Sequence, residues 1–164
     1  MGKVIIICGK ICSGKSYYAE WLCKTGNAVI LSCDEIAFAL LLNKIKDSDR
    51  HDEIMARVAG YLYKKSVQIA RCGVDVILDF CPWHKKGRNT LSKYYEEQNI
   101  QIEWHYVDIS DKDWKANIEQ RNRLVRQGKA DAYYLDDGLM AKIISRFEQP
   151  AKEEFDVWFV NTRE

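Results

Sequence analysis

The sequence predicts an α/β domain of three layers, a five-stranded parallel sheet with helices on both faces. Three observations predict it. Runs rich in Val, Ile, Leu and aromatics recur at Val4 to Cys8, Ala28 to Ser32, Val74 to Phe80, Ile102 to Asp108 and Val157 to Asn161. Most are continuous rather than alternating, as strands covered on both faces require. Stretches with helical spacing fill the intervals, and strand–helix alternation of this kind builds parallel sheets. Finally, 164 residues with 47% hydrophobic content can bury one core and are too few for two typical domains, so residues 1–164 read as a single unit.

The helical stretches are Lys15 to Lys24, Asp34 to Asn43, Asp52 to Arg71, Lys85 to Asn99, Asp111 to Arg126 and Asp136 to Glu148. In the third, Ile54, Val58, Tyr61, Leu62, Lys65 and Ile69 recur every three or four residues, predicting an inward stripe with a lysine at its edge. Pro82 follows a strand and Pro150 follows a helix, where proline punctuates rather than disrupts. The polar segment Gln127 to Asp137 contains Gly128, with Gly138 just beyond, and reads as a mobile loop.

Charge excludes some partners. The 25 Lys and Arg nearly cancel the 24 Asp and Glu, so no net basic field exists to hold a duplex nucleic acid. The six cysteines show neither a CxxC pair nor a zinc-ligand spacing, and they are expected to be reduced and structural in a cytoplasmic protein. The apolar run after Met1 is too short for a signal peptide or a membrane span.

The first turn carries the most specific signal. Gly9-Lys10-Ile11-Cys12-Ser13-Gly14-Lys15-Ser16 fits G-x-x-x-x-G-K-[ST], after a strand and before a helix. Gly9 and Gly14 allow backbone angles that let successive N–H groups curl around phosphate at a helix N-terminus, next to which Tyr17 lies. Lys15 is then placed for the β- and γ-phosphates of ATP, and Ser16 for Mg²⁺. The motif specifies triphosphate binding, not a reaction.

Ligands of open α/β sheets gather at the carboxyl ends of the strands. The second strand delivers Asp34 there and the third delivers Asp79. Two carboxylates beside a triphosphate suit a division of labour, Asp34 accepting an acceptor's proton and Asp79 holding magnesium, although Asp34 or Ser32 could instead cap the helix that follows. In the fifth helix Trp114, Ile118, Arg121 and Val125 share a face, so Arg121 faces inward and needs an anion; Arg123 points the opposite way and Arg126 flanks the loop.

The phosphate loop, Ser32 and Asp34, Asp79 with Trp83 and Arg88 after it, Arg121-Asn122 and the run Phe147-Glu148 to Pro150 together resemble the small P-loop kinases that include zeta toxin, chloramphenicol phosphotransferase and the kinase domain of polynucleotide kinase. The resemblance spans essentially the whole chain. It implies a P-loop NTPase sheet in order 2-3-1-4-5, Asp34 as general base, a lid around residues 121–138, and base contacts from Asn161 and Thr162. The chain differs from zeta toxin and chloramphenicol phosphotransferase in lacking a long substrate-binding insertion, which leaves the acceptor open. The reading is therefore an ATP-dependent phosphotransferase acting on the hydroxyl of a small molecule, with Lys15, Asp34 and Arg121 catalytic. Its acceptor pocket would be lined by Asp34, Phe38, Trp83, His84, Arg88 and Arg126, while His51 and His105 read as structural. Two alternatives stand beside it, a non-catalytic nucleotide switch and a nucleic-acid 5′-kinase domain. No Asn-Lys-x-Asp guanine motif follows any strand, which counts against a Ras-type switch.

Overall fold

A computed structural model describes residues 1–162. Its strands are β1 (Val4–Cys8), β2 (Ala28–Leu31), β3 (Asp75–Leu78), β4 (Ile102–Ile109) and β5 (Val157–Asn161). The helices are α1 (Lys15–Thr25), α2 (Cys33–Ala39), α3 (Ser48–Arg71), α4 (Lys85–Glu97), α5 (Asp111–Arg126) and α6 (Asp137–Arg146). The sheet is parallel in every pairing and runs β2-β3-β1-β4-β5, the expected order.

Alternation along β1 builds the three layers. Val4, Ile6 and Cys8 face one core with Val76, Leu78, Leu91 and Tyr95, while Ile5 and Ile7 face another with Tyr18, Ala19, Ile77 and Val107. Every residue of β1 is buried, so the central strand reads as an unbroken apolar run.

Local chemistry sets the differences from expectation. Helix α2 stops at Ala39 rather than Asn43, because Leu41 turns left-handed at φ 55° before a 3₁₀ turn at Leu42–Lys44. Helix α3 begins a turn earlier than expected, at Ser48, where the Asp47 carboxylate accepts from the amides of Asp49 and Arg50 at 3.0 Å. Its inward stripe is Leu62, Ser66, Val67 and Ala70; Tyr61, expected inside, is 56% exposed. The buried Ser66 is satisfied there, its hydroxyl bonding the Tyr95 hydroxyl and the Tyr63 carbonyl, both at 2.7 Å.

The cysteines are corrected at one pair. Cys8 ends β1 and Cys81 follows the neighbouring β3, and a disulfide joins them across a Cα–Cα distance of 5.4 Å. Their 73-residue separation carries no sequence signal, because sheet pairing rather than spacing brings them together. Cys12, Cys23, Cys33 and Cys72 are free thiols. Among the described residues no helix is long and apolar enough to cross a membrane.

Candidate active site

The phosphate-binding loop is held from outside itself. Gly14, at φ 98°, adopts an angle that side chains resist, and the Asn161 amide lies where its Cβ would stand. That amide donates to the Ser13 carbonyl at 2.8 Å. The Trp114 indole N–H donates to the Ile11 carbonyl at 2.6 Å, and the Asn117 amide to the Cys12 carbonyl at 3.0 Å. Cys12 itself has φ 60°, a conformation costing about 1 kcal/mol or more for a non-glycine residue. Three side chains on α5 and β5 thus hold the loop's carbonyls aside; the Ser13 amide bonds the Lys10 carbonyl at 3.1 Å, and the N–H groups that remain are the ones a phosphate would meet.

The charged residues converge beside it. Lys15 Nζ folds back onto the carbonyls of Gly9 at 3.2 Å and Lys10 at 2.9 Å. Burial lowers the Lys15 pKa, against the opposing pull of the Asp79 and Asp34 carboxylates. Ser16 Oγ donates to Asp79 Oδ2 at 2.7 Å, whereas Asp79 Oδ1 is buried without a partner. Burial raises the Asp79 pKa; the Ser16 bond and Lys15 pull it back. An orphaned carboxylate oxygen beside a serine hydroxyl is a donor set that fits Mg²⁺ completed by phosphate oxygens and water. No cluster of three His, Cys, Asp or Glu that could hold a metal occurs among the described residues.

Ser32 caps α2 by accepting from the Glu35 amide at 3.4 Å. That settles which residue caps and leaves the exposed Asp34 carboxylate free at the strand edge. Arg121 is partly buried, with Nε on the Tyr133 carbonyl at 3.1 Å and Nη1 3.6 Å from Cys12 Sγ; Arg123 is exposed, as the helical face requires. The segment after α5 is tied down by Asn122, which exchanges two 2.8 Å bonds with the Leu135 backbone.

Two concavities meet at these residues. One, of about 330 Å³, follows the phosphate loop past Tyr17 to Asn117 and Gln120. The other, of about 300 Å³, runs between α2, α3, α6 and the Phe80 to Trp83 segment. Ile11, Lys15, Asp34, Asp79 and Arg121 line both.

The residues expected to line an acceptor pocket divide. Asp34 and Trp83 line the second cavity, and Phe38 stands behind it, its ring 5.1 Å from that of Tyr133. Three others are drawn elsewhere. His84 caps α4, its Nδ1 accepting from the Gly87 amide at 2.9 Å. Arg88 is 5% exposed and forks onto Glu154 Oε2 from Nε at 3.2 Å and Nη2 at 2.9 Å. Arg126 stacks on the Tyr134 ring at 4.9 Å and bonds its hydroxyl, in a separate surface hollow. A cap, an ion pair and a cation–π contact each satisfy a polar group that the sequence leaves open. Asn161 is spent on the loop rather than left open, and Thr162 beside it is exposed. His105 is buried against Tyr18 at 3.0 Å, but His51, expected to be structural, lines the second cavity and bonds the Tyr133 hydroxyl at 2.9 Å. Trp114 and Asn117 went unforeseen as loop anchors; the signal was the indole N–H on the face of Arg121, where a buried tryptophan needs an acceptor.

A family model described as an AAA domain, AAA_33, matches residues 4–150. The chain belongs to that family. No curated protein matches this AAA domain. Among solved structures it is similar to Mycobacterium tuberculosis APS kinase CysC, in complex with AMPPNP and APS, at 20% identity and TM-score 0.64, over 99% of this chain and 90% of that one. It is similar to a gluconokinase from Sinorhizobium meliloti at 13% identity and TM-score 0.65, over 99% and 84%. A chain of the Pnkp1/Rnl/Hen1 RNA repair complex matches at 16% identity and TM-score 0.64, over 94% of this chain but 46% of that one. At these identities the likeness establishes a shared fold.

Proposed function

We propose that this AAA domain is an ATP-dependent phosphotransferase that moves the γ-phosphate of a nucleotide in the loop cleft to a hydroxyl of a small molecule in the second cavity. The observation that carries this is the shared wall of Lys15, Asp34, Asp79 and Arg121 between the two concavities. A nucleotide switch has no use for a second cavity that opens onto its own phosphate site. The kinases among its structural neighbours support the same reading.

Each residue has one task. The loop amides hold the phosphates, and Lys15 leaves its loop carbonyls for the β- and γ-oxygens. Ser16 and Asp79 would hold magnesium, which when bound offsets phosphate charge and aligns the transferring group. Arg121 presents a guanidinium to the charge that develops during transfer. Asp34 accepts the proton of the acceptor hydroxyl as its oxygen bonds phosphorus and the bond to the ADP oxygen breaks. Closure of the segment over residues 121–138 would exclude water and so protect ATP from hydrolysis. Asn161 serves as a loop anchor, and Thr162 beside it as a contact for the base. A screen of hydroxyl compounds for ATP consumption, with mass-spectrometric detection of an added phosphate, tests the reading. Phosphorylation of single-stranded oligonucleotides alone would shift it to a nucleic-acid 5′-kinase; turnover with no acceptor would refute it.

A further inference from the structure

The second cavity has two ends of different charge. At the wall shared with the loop cleft, Lys15 and Arg121 are balanced by Asp34 and Asp79. Away from it, Lys142 and Arg146 face a single carboxylate, Asp52, so one positive charge is in excess. Lys142 and Arg146 are four residues apart on α6 and therefore share a face. Lys142 Nζ lies 2.9 Å and Arg146 Nη1 2.8 Å from Asp52 Oδ2. Despite the burial that opposes it, these bonds hold the Asp52 carboxyl below its usual range, so the carboxylate is a fixed counter-ion that positions both cations. Arg146 uses only Nη1; among the described residues its other N–H groups have no protein partner. A guanidinium with an open edge, beside an ammonium, is the arrangement that takes a carboxylate or phosphate.

Aromatic contacts give the order of groups between the two ends. Tyr133 lines the cavity with Asp34, and its carbonyl accepts from Arg121 Nε at 3.1 Å, which sets it beside the shared wall. The Tyr133 ring meets His51 edge-on at 5.7 Å, and His51 Nδ1 lies 3.7 Å from Asp52 Oδ1. The path from Asp34 to the cations thus passes two rings, and Phe80, Trp83, Ile143 and Phe147 supply an apolar lining.

Resting on the cavity's assignment as the acceptor site, we propose that the acceptor is a hydroxy compound with a planar apolar body and an anionic group, carboxylate or phosphate, received by Lys142 and Arg146. The hydroxyl lies at Asp34, the body against the aromatic lining, and the anion on the open edge of Arg146. A neutral alcohol of the same shape leaves that charge unmatched.

Calorimetric titration tests this on the full chain saturated with magnesium and a non-hydrolysable ATP analogue, so that anions cannot enter the loop cleft. The probes are 4-(hydroxymethyl)benzoate, 4-(hydroxymethyl)phenyl phosphate and the neutral 4-(hydroxymethyl)benzamide. At least one anion should bind about tenfold more tightly than the amide, and which one does so identifies the anion. That preference should vanish in Arg146→Gln and grow in Asp52→Asn, which releases both cations from their counter-ion. Equal binding of all three probes, binding of none at millimolar concentration, or a preference that survives Arg146→Gln overturns the anion subsite while the nucleotide reading stands. Failure of the ATP analogue itself to bind refutes the functional reading, and the subsite with it.

Discussion

The loop cleft and the second cavity share a wall but are built on opposite plans. The loop cleft is made of backbone: eight consecutive residues, Gly9 to Ser16, curl around a point, and side chains from α5 and β5 hold their carbonyls aside. The cavity is made of side chains drawn from α2, α3, α6 and the segment after β3, joined by contacts such as Lys142 to Asp52 across 90 positions. A backbone cradle suits a ligand part common to every nucleotide, whereas a side-chain cavity can change its specificity without disturbing the cradle.

Breaking the cradle should have the largest effect. Lys15→Ala removes the loop cation that lines both concavities, so transfer should disappear and ATP·Mg²⁺ affinity should collapse in calorimetry while circular dichroism is unchanged. Wild-type affinity would move the nucleotide elsewhere. Next comes a substitution outside both concavities. Arg88→Met takes two bonds from the Glu154 carboxyl, whose pKa burial would raise and which the Ala151 amide and Arg88 together hold below its ordinary range. Loss of two charge-assisted hydrogen bonds from this part-buried pair costs roughly 3 kcal/mol, so the urea midpoint should fall while the nucleotide dissociation constant holds. A change in acceptor KM at unchanged stability would return Arg88 to the acceptor site.

The shared wall discriminates more finely. Asp34→Asn should retain ATP binding, since Ser32 and not Asp34 caps α2, yet lower transfer by about a hundredfold, within the range of general-base effects. Transfer at the wild-type rate would remove Asp34 from the mechanism. Arg121→Lys keeps the charge but loses the fork, and should reduce turnover by about tenfold, whereas the exposed Arg123→Lys should not. Equal rates for the two would undo the helical-face argument. The smallest change is Asn117→Ala, which frees the Cys12 carbonyl and should weaken nucleotide binding by about 1 kcal/mol, the worth of one hydrogen bond, with acceptor KM unmoved.

The same contrast governs what the sequence reveals. The cradle is legible because its determinants are consecutive and its context, strand before and helix after, can be read from hydrophobic pattern alone. The sheet order is legible through resemblance, and the inward face of Arg121 through helical period. The cavity is legible only in part: Asp34 and Trp83 line it as expected, but its other polar residues choose among partners that only the fold supplies. His84 and Arg88 follow a strand end that carries chemistry, yet one caps its own helix and the other finds Glu154, 66 positions away. His51 and Asp52 stand at what looks like a helix start; the Asp47 cap places them inside α3, on the cavity wall. Cys8 and Cys81 are likewise joined by sheet pairing, not by spacing.

The bond from the Trp114 indole to the Ile11 carbonyl also gives the molecule an optical handle. Indole emission depends on what its N–H meets, and this N–H meets the loop proposed to receive phosphate. Trp83 lines the other cavity, 37% exposed. Each half of the proposed reaction would therefore have its own chromophore. With Trp21, Trp104 and Trp158 replaced by phenylalanine, the two remaining signals would follow nucleotide and acceptor separately, in real time and without a label.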